Sequence, residues 1–141
     1  MSQFEILTNY IPLLQCNDIG EWVIDKENDG TAEHPIQMPY VNYSETVRRF
    51  IEDVYTFAEQ HQEMGLTRYS EILKENGIEG GTNDMENVDT SHLNAQCVLA
   101  LIMGVVRAER FCDGVILNFF KSGAIFKWLE RLDRLESPNE I

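Results

Sequence analysis

The 141-residue chain has few basic side chains. Its 11 Lys and Arg stand against 24 Asp and Glu, and the formal net charge is −13. A protein of this charge repels the phosphate backbone of DNA or RNA, whose binding depends on Lys and Arg that displace counterions. We therefore expect no nucleic-acid binding. The acids are concentrated in residues 1–44 and 75–89, whereas residues 91–141 carry six acids and six bases.

Cysteine is also scarce and cannot support a disulfide framework. The three cysteines, Cys16, Cys97 and Cys112, are an odd number, and no two of them form a Cys-x-x-Cys pair. Disulfide-rich secreted domains need paired cysteines, and structural zinc sites need four ligands at characteristic spacings. We expect a protein of a reducing compartment, the cytoplasm.

Long apolar segments and targeting signals are missing as well. The longest apolar stretch, Cys97–Val106, has about half the length of a membrane span. The first residues, Met1–Glu5, contain neither the basic nor the apolar region of a signal peptide. The sequence therefore predicts a soluble protein that does not bind a membrane.

Motifs for catalysis or metal binding do not occur. The histidines are scattered, and the one Asp89-x-x-His92 spacing does not supply the two Glu-x-x-His pairs of a di-iron bundle. The chain has no phosphate-binding loop, no dinucleotide-binding glycine pattern and no Gly-x-Ser-x-Gly sequence. We assign no catalytic residue, no metal and no cofactor, and we favour a non-enzymatic role over an enzyme.

Apolar residues at helical spacing are abundant. They recur every three or four positions along six segments, as they do when one face of a helix packs on a core. The segments cover residues 4–14, 47–61, 69–76, 93–106, 115–120 and 125–135. The predicted fold class is mostly α, with five to six helices in one domain over residues 1–141. Residues 93–106 are apolar nearly all round, which is typical of a central helix.

Individual residues predict where these helices begin and end. Pro12 should kink or restart the first helix, because proline has no N–H to donate. Ser44 and Asp113 are suited to cap the helices that follow them. Gly77 should end the helix before it in a left-handed conformation.

Residues 20–42 carry the signals of a short hairpin or an extended strap. Trp22 and Ile24 alternate with polar residues, Asp29-Gly30 is a turn pair, and two prolines prevent a helix. Four apolar anchors follow: Ile36, Met38, Tyr40 and Val41. A partner could bind such a surface, but we favour packing of these anchors onto the helices.

Residues 77–90 should form a mobile acidic loop. Its three glycines and several acids leave little apolar surface to bury. A loop of this kind tolerates insertions.

One charged cluster directly follows the central apolar segment. It consists of Arg107, Glu109, Arg110 and Asp113. Charges beside a core need partners, so the first interpretation is an ionic network between helices, which could include Glu52 or Asp53. The second is a binding site, with both arginines forming a fork for a carboxylate or phosphate ligand and Glu109 fixing their orientation.

Cys112 lies in the same segment and has two interpretations. Near a helix N-terminus and Arg110, it could be an activated thiolate. However, no histidine is close in the sequence, and its neighbour Phe111 suggests burial. We favour a small core residue.

The sequence resembles a known family at several places. They are Val105-Val-Arg-Ala-Glu-Arg-Phe-Cys-Asp-Gly114, Gly123, Ile125-Phe-Lys-Trp-Leu-Glu-Arg-Leu132, Pro35-Ile-Gln-Met-Pro-Tyr40 and Ser44-Glu-Thr-Val-Arg-Arg-Phe50. They resemble a family of small uncharacterised bacterial proteins known only as a domain of unknown function, whose most specific part is Glu-Arg-Phe-x-x-Gly. The resemblance implies a compact helical fold and a bacterial cytoplasm, but it carries no activity, cofactor or catalytic residue.

Three functions remain open on the sequence alone. The first is a non-enzymatic module that binds a protein partner or itself as a homo-oligomer. The second is a binder of, or an enzyme on, a small anionic metabolite, with Arg107, Glu109, Arg110 and Asp113 as ligand-binding residues. The third is an acidic mimic of nucleic acid, motivated by the net charge.

Overall fold

The computed structural model describes residues 4–16, 19–24, 30–33, 35, 39–78 and 82–136. The helices are α1 (Glu5–Thr8), α2 (Tyr10–Cys16), α3 (Glu45–Gln60), α4 (Tyr69–Glu75), α5 (Thr82–Asn87), α6 (Ala95–Ala108), α7 (Val115–Lys121) and α8 (Ala124–Glu136). Short 3₁₀ turns lie at Gln62–Met64, Leu66–Arg68 and Thr90–His92. Strands β1 (Gly20–Val23) and β2 (Tyr40–Tyr43) form an antiparallel pair. The predicted mostly α fold class with a short N-terminal hairpin is confirmed.

Helix α6 is the centre of the core. Every residue from Cys97 to Val106 is buried, and α3, α4, α7 and α8 pack against this helix. The side chain of Asn94 caps it by accepting a hydrogen bond from the Cys97 N–H at 2.8 Å. Because α6 ends at Ala108, the charged residues that follow lie at the edge of the core.

Helices α3 and α8 turn one apolar face to this core. The Ser44 hydroxyl accepts a hydrogen bond from the Val47 N–H at 3.3 Å, so the predicted cap of α3 is confirmed. The most deeply buried large side chains of the two helices are Val47, Phe50, Phe57, Trp128, Leu129 and Leu132. These positions follow the spacing of three and four residues from which both helices were predicted.

The first helical segment is interrupted just before Pro12, so the predicted restart of the helix is confirmed. α1 ends at Thr8 and α2 begins at Tyr10, so the interruption lies at Asn9. Pro12 is the third residue of α2 and lies in its first turn. The N–H groups of a first turn have no partner within the helix, so a proline is tolerated there.

The segment after α4 ends that helix as predicted, but it also contains a helix that was not predicted. Gly77 has φ 81°, and the Ile78 N–H donates to the Leu73 carbonyl at 2.9 Å, so the left-handed end of α4 is confirmed. Within residues 77–90, however, the structure forms α5, and Met85 is buried. A Cβ atom on Gly104 would lie 2.9 Å from the Met85 methyl carbon, so α5 is anchored closely against α6. The mobility of the remaining loop stays a prediction.

The hairpin places Tyr43 against the helices. Gly20 pairs with Tyr43 and Trp22 pairs with Val41, so these four residues lie on one face of the two-stranded sheet. The Ser44 N–H donates to the Ile19 carbonyl at 2.9 Å, and this bond connects the base of the hairpin to the start of α3.

Two of the predicted apolar anchors, Val41 and Tyr40, differ in how far they are buried. Val41 is partly buried, whereas the Tyr40 side chain is 45% exposed. The packing predicted for Tyr40 is therefore wrong, because alternate residues of a strand point to opposite faces and Tyr40 lies on the outer one. Ile36, Met38 and Asp29 lie outside the described residues.

Candidate binding site

The chain between α6 and α7 forms a tight turn of fixed shape. The Phe111 and Cys112 N–H groups both donate to the Ala108 carbonyl at 3.0 Å, which continues the last turn of α6. Gly114 then adopts φ 97°, which favours glycine. A Cβ atom at Gly114 would lie only 2.5 Å from the Trp22 ring. The hairpin thus packs directly on this turn.

Glu109 caps the N-terminus of α7. Its carboxylate accepts hydrogen bonds from the Gly114 and Ile116 N–H groups, both at 2.9 Å, and from the Tyr43 hydroxyl at 2.5 Å. The Tyr43 hydroxyl in turn accepts from the Leu117 N–H at 3.1 Å. Two residues from other elements therefore satisfy three of the N–H groups that a helix start leaves without helical partners.

The capping role predicted for Asp113 is wrong. The residue that precedes α7 is Gly114, which provides no side chain, and Asp113 is exposed. Glu109 can reach the helix start because the turn folds back on itself. Burial, followed by the hydrogen bond to Glu109, raises the pKa of Tyr43, so its hydroxyl remains protonated and can donate.

Arg107 lies beside a cavity and not in this capping network. The cavity has a volume of about 440 Å³ and is partly open to solvent. Helix α3 contributes Tyr55, Ala58 and Glu59 to its wall, and α6 contributes Met103 and Arg107. The rest of the wall is formed by the 3₁₀ turns Gln62–Met64 and Leu66–Arg68 and the glycine between them. The lining residues there are Gln62, Gly65, Leu66, Thr67 and Arg68. The side chain of Arg107 is partly buried.

The structure separates the predicted ligand-binding residues. Arg107 lines the cavity, Glu109 caps α7, and Arg110 and Asp113 are exposed and do not line the cavity. The second arginine at the cavity is Arg68, which sequence reasoning did not identify. Its position depends on the packing of a 3₁₀ turn against α6, for which the sequence offers no local signal.

The ionic network expected around the cluster does not form within the described ranges. No ion pair there involves the four charged residues of the cluster, and the ion pairs that do occur are Glu45–Arg49, His61–Glu63 and Arg68–Glu71. Asp53, a predicted partner, accepts instead from the Tyr10 hydroxyl at 2.5 Å. Burial, and next this hydrogen bond, raises the pKa of Tyr10 to about 12.

A second surface feature lies on the same turn. Phe111 is 92% exposed, and it is three residues from Gly114, on which Trp22 packs. Trp22 itself is 42% exposed and Ile24 is 58% exposed. We name Trp22 and Phe111 the aromatic patch. The burial predicted for Phe111 is wrong, because this residue follows the end of α6 and points away from the core.

Cys97 and Cys112 differ in their exposure to solvent. Cys97 is buried in α6, and burial raises the pKa of its thiol. Cys112 is exposed, so the expectation that it is a core residue is wrong. Within the described residues, no group of three or more His, Cys, Asp or Glu side chains could hold a metal ion.

The comparisons with known proteins identify a family but no activity. The match is to the family described as "Family of unknown function (DUF6508)" over residues 2–138, so the chain belongs to this family. No curated protein and no solved structure matches the chain. In the part of the chain that the structure describes, no helix is both long and apolar enough to cross a membrane.

Proposed function

We propose that this chain is a non-enzymatic cytoplasmic binding module that contacts a protein partner, or a second copy of itself, through the aromatic patch. The observation that carries the proposal is the 92% exposure of Phe111 on the same turn on which the half-exposed Trp22 packs, at Gly114. A phenylalanine that gains nothing from the core is costly to hold in water, and neighbouring exposed apolar groups are typical of interaction surfaces.

The rigidity of the turn supports the same function. The Glu109 carboxylate, before Phe111, accepts hydrogen bonds from the Gly114 and Ile116 N–H groups after it, and Trp22 packs on Gly114. An aromatic group on a fixed backbone loses little conformational freedom when a partner covers it, and aromatic residues dominate the binding energy of many interfaces. The patch is therefore suited to act as an anchor.

The net charge predicts how such contacts depend on salt. Two copies of a protein with charge −13 repel each other. Added salt screens this repulsion while apolar contacts persist, so self-association should strengthen with ionic strength. Binding of a basic partner should instead weaken with ionic strength.

The proposal can be tested by sedimentation velocity and affinity capture at micromolar protein. We would compare the wild type with Phe111→Ser and with Leu13→Ser, a control at a residue of α2 that is 49% exposed. We expect the wild type and the control to self-associate or to retain a partner. Phe111→Ser should lose about 2 kcal/mol of binding, roughly a 30-fold change in affinity.

Two results would contradict the proposal. One is a wild type that stays monomeric at every salt concentration and retains no partner. The other is equal binding by the wild type and Phe111→Ser. Circular dichroism of each variant would establish that it folds, which we expect because Phe111 contributes little to the core.

A further inference from the structure

We propose that the cavity beside Arg107 is a binding site for a small organic carboxylate with an apolar body. The residues of the aromatic patch do not line this cavity, so the proposal stands independently of a protein partner. A volume of about 440 Å³ lies within the range of small-molecule pockets.

Arg107 is the group in the cavity that most needs an anion. Its side chain is partly buried, yet it forms no side-chain hydrogen bond or ion pair with any described residue. A guanidinium has five N–H donors, and removing them from water without partners is unfavourable. Arg107 lies in the last turn of α6, where the helix dipole stabilises a cation without occupying its donors. No residue in the described part of the chain occupies these donors, so a ligand can bind them.

Arg68 can supply a second cation at the rim. Its only ion pair among the described residues is with Glu71 at 3.9 Å, and both side chains are largely exposed. An exposed pair of this kind contributes little to stability, so Arg68 can exchange it for a ligand. The adjoining 3₁₀ turn is held to α6, because the Gln96 amide donates to the Met64 carbonyl at 2.6 Å.

The charges around the cavity favour a monoanion. Among the lining residues, Arg68 and Arg107 are opposed by one acid, Glu59, which leaves one net positive charge once Arg68 releases Glu71. The net charge of −13 repels ligands with several negative charges, such as nucleotides. A carboxylate carries one charge and can accept two parallel hydrogen bonds from a guanidinium.

The uncharged part of the lining favours an apolar ligand body. Ala58, Leu66 and Met103 present hydrocarbon and thioether surface, and Tyr55 adds an aromatic ring. Burying an apolar body against this surface provides affinity, while the arginines fix the orientation of the carboxylate. Aromatic or medium-chain carboxylates combine both properties.

The test uses calorimetric titration with benzoate and octanoate, with benzamide and octanamide as neutral controls and inorganic phosphate as a control for any anion. We expect at least one carboxylate to bind the wild type, its amide to bind at least tenfold more weakly, and phosphate to bind more weakly than the carboxylate. A wild type that binds neither carboxylate, or that binds amide and carboxylate equally, would overturn the proposal. So would a wild type that binds phosphate more tightly than either carboxylate.

Variants locate the site. Arg107→Met should weaken carboxylate binding at least tenfold, the loss produced by removing one hydrogen bond to a charged group, and Arg107→Lys should restore part of it. Arg68→Met, at an exposed residue whose replacement should leave the fold intact, should weaken binding severalfold. Arg110→Met is the matched control, because Arg110 is an exposed arginine nearby that does not line the cavity. It should change the affinity less than twofold.

A direct readout distinguishes this site from binding elsewhere. The carboxylate should shift the NMR signal of the Met103 methyl group, which can be assigned with Met103→Leu, and it should leave the Met85 signal unchanged. An Arg110→Met variant that loses as much affinity as Arg107→Met would overturn the assignment to this cavity. Binding with no shift at Met103 would overturn it as well.

Discussion

Glu109 and Arg107 are two residues apart in the sequence but have opposite surroundings. The Glu109 carboxylate accepts hydrogen bonds from Gly114, Ile116 and Tyr43. The Arg107 guanidinium forms no hydrogen bond or ion pair within the described ranges, and it faces a cavity. The comparison shows that one charged segment can contain both a structural residue and a residue available to a ligand. Position in a motif therefore does not reveal which role a charge has.

The largest effect that we expect is at the structural member of the pair. Glu109→Ala removes the acceptor of three hydrogen bonds and should lower the free energy of unfolding by about 3 kcal/mol. Urea unfolding at neutral pH measures this change. Glu130→Ala, at an exposed acid on α8, is the control and should be nearly neutral. A loss of less than about 1 kcal/mol at Glu109 would remove the distinction between the two residues.

A somewhat smaller effect is expected at Gly114. A side chain there would be strained at φ 97° and would also collide with Trp22, so Gly114→Ala should cost about 2 kcal/mol or more. Gly123→Ala is a matched control, because Gly123 has φ 85° but nothing within 4 Å of an added Cβ. The difference between the two variants measures the contact with Trp22. Equal losses would mean that the hairpin does not pack on the turn.

The smallest expected effect is that of Tyr43→Phe, and it decreases at high pH. Tyr43→Phe removes a hydroxyl that bonds to Glu109 and Leu117, which should cost about 1 kcal/mol at neutral pH. Since folding raises the pKa of Tyr43 above its unfolded value near 10, its contribution is complete below that pH and is lost as the pH rises further.

Unfolding curves at a series of pH values from neutral to alkaline test this prediction. The stability of the wild type should fall more steeply above about pH 10 than that of Tyr43→Phe, because the variant has one fewer titrating group. Tyr10→Phe provides a comparison, since the pKa of Tyr10 is also raised, to about 12. Parallel pH profiles for the wild type and Tyr43→Phe would contradict the hydrogen bonding at the start of α7.

Much of the fold follows from the sequence because the long helices bury periodic stripes. The stripes of α3 and α8 and the continuous apolar segment of α6 each predict a helix and its buried face. Helix α5 has no such stripe, because a single buried methionine, Met85, anchors it to Gly104. Pro12 was informative for a different reason, since it has no N–H to donate to the carbonyl of Thr8, where α1 ends before the helix restarts.

The site was less predictable because its contacts connect distant parts of the chain. The sequence marked the charged segment, but it could not show that Glu109 bonds to Tyr43, which is 66 residues away. Arg107 and Arg68 line the same cavity only because a 3₁₀ turn packs on α6. Only the tertiary structure brings these groups together. The exposure of Phe111 also had no signal, because an aromatic residue beside an apolar helix is usually buried.

The hydrogen bond from Tyr43 to Glu109 also has a consequence for the order of folding. It joins segments that are 66 residues apart, whereas the backbone hydrogen bonds within each helix between them join residues only a few positions apart. Closing a long loop costs entropy that is recovered only after the ends meet, so contacts of this kind tend to form late. We expect the hairpin to dock on the α6–α7 turn near the end of folding. Weakening this bond should therefore shorten the lifetime of the folded state and leave the rate of its formation nearly unchanged.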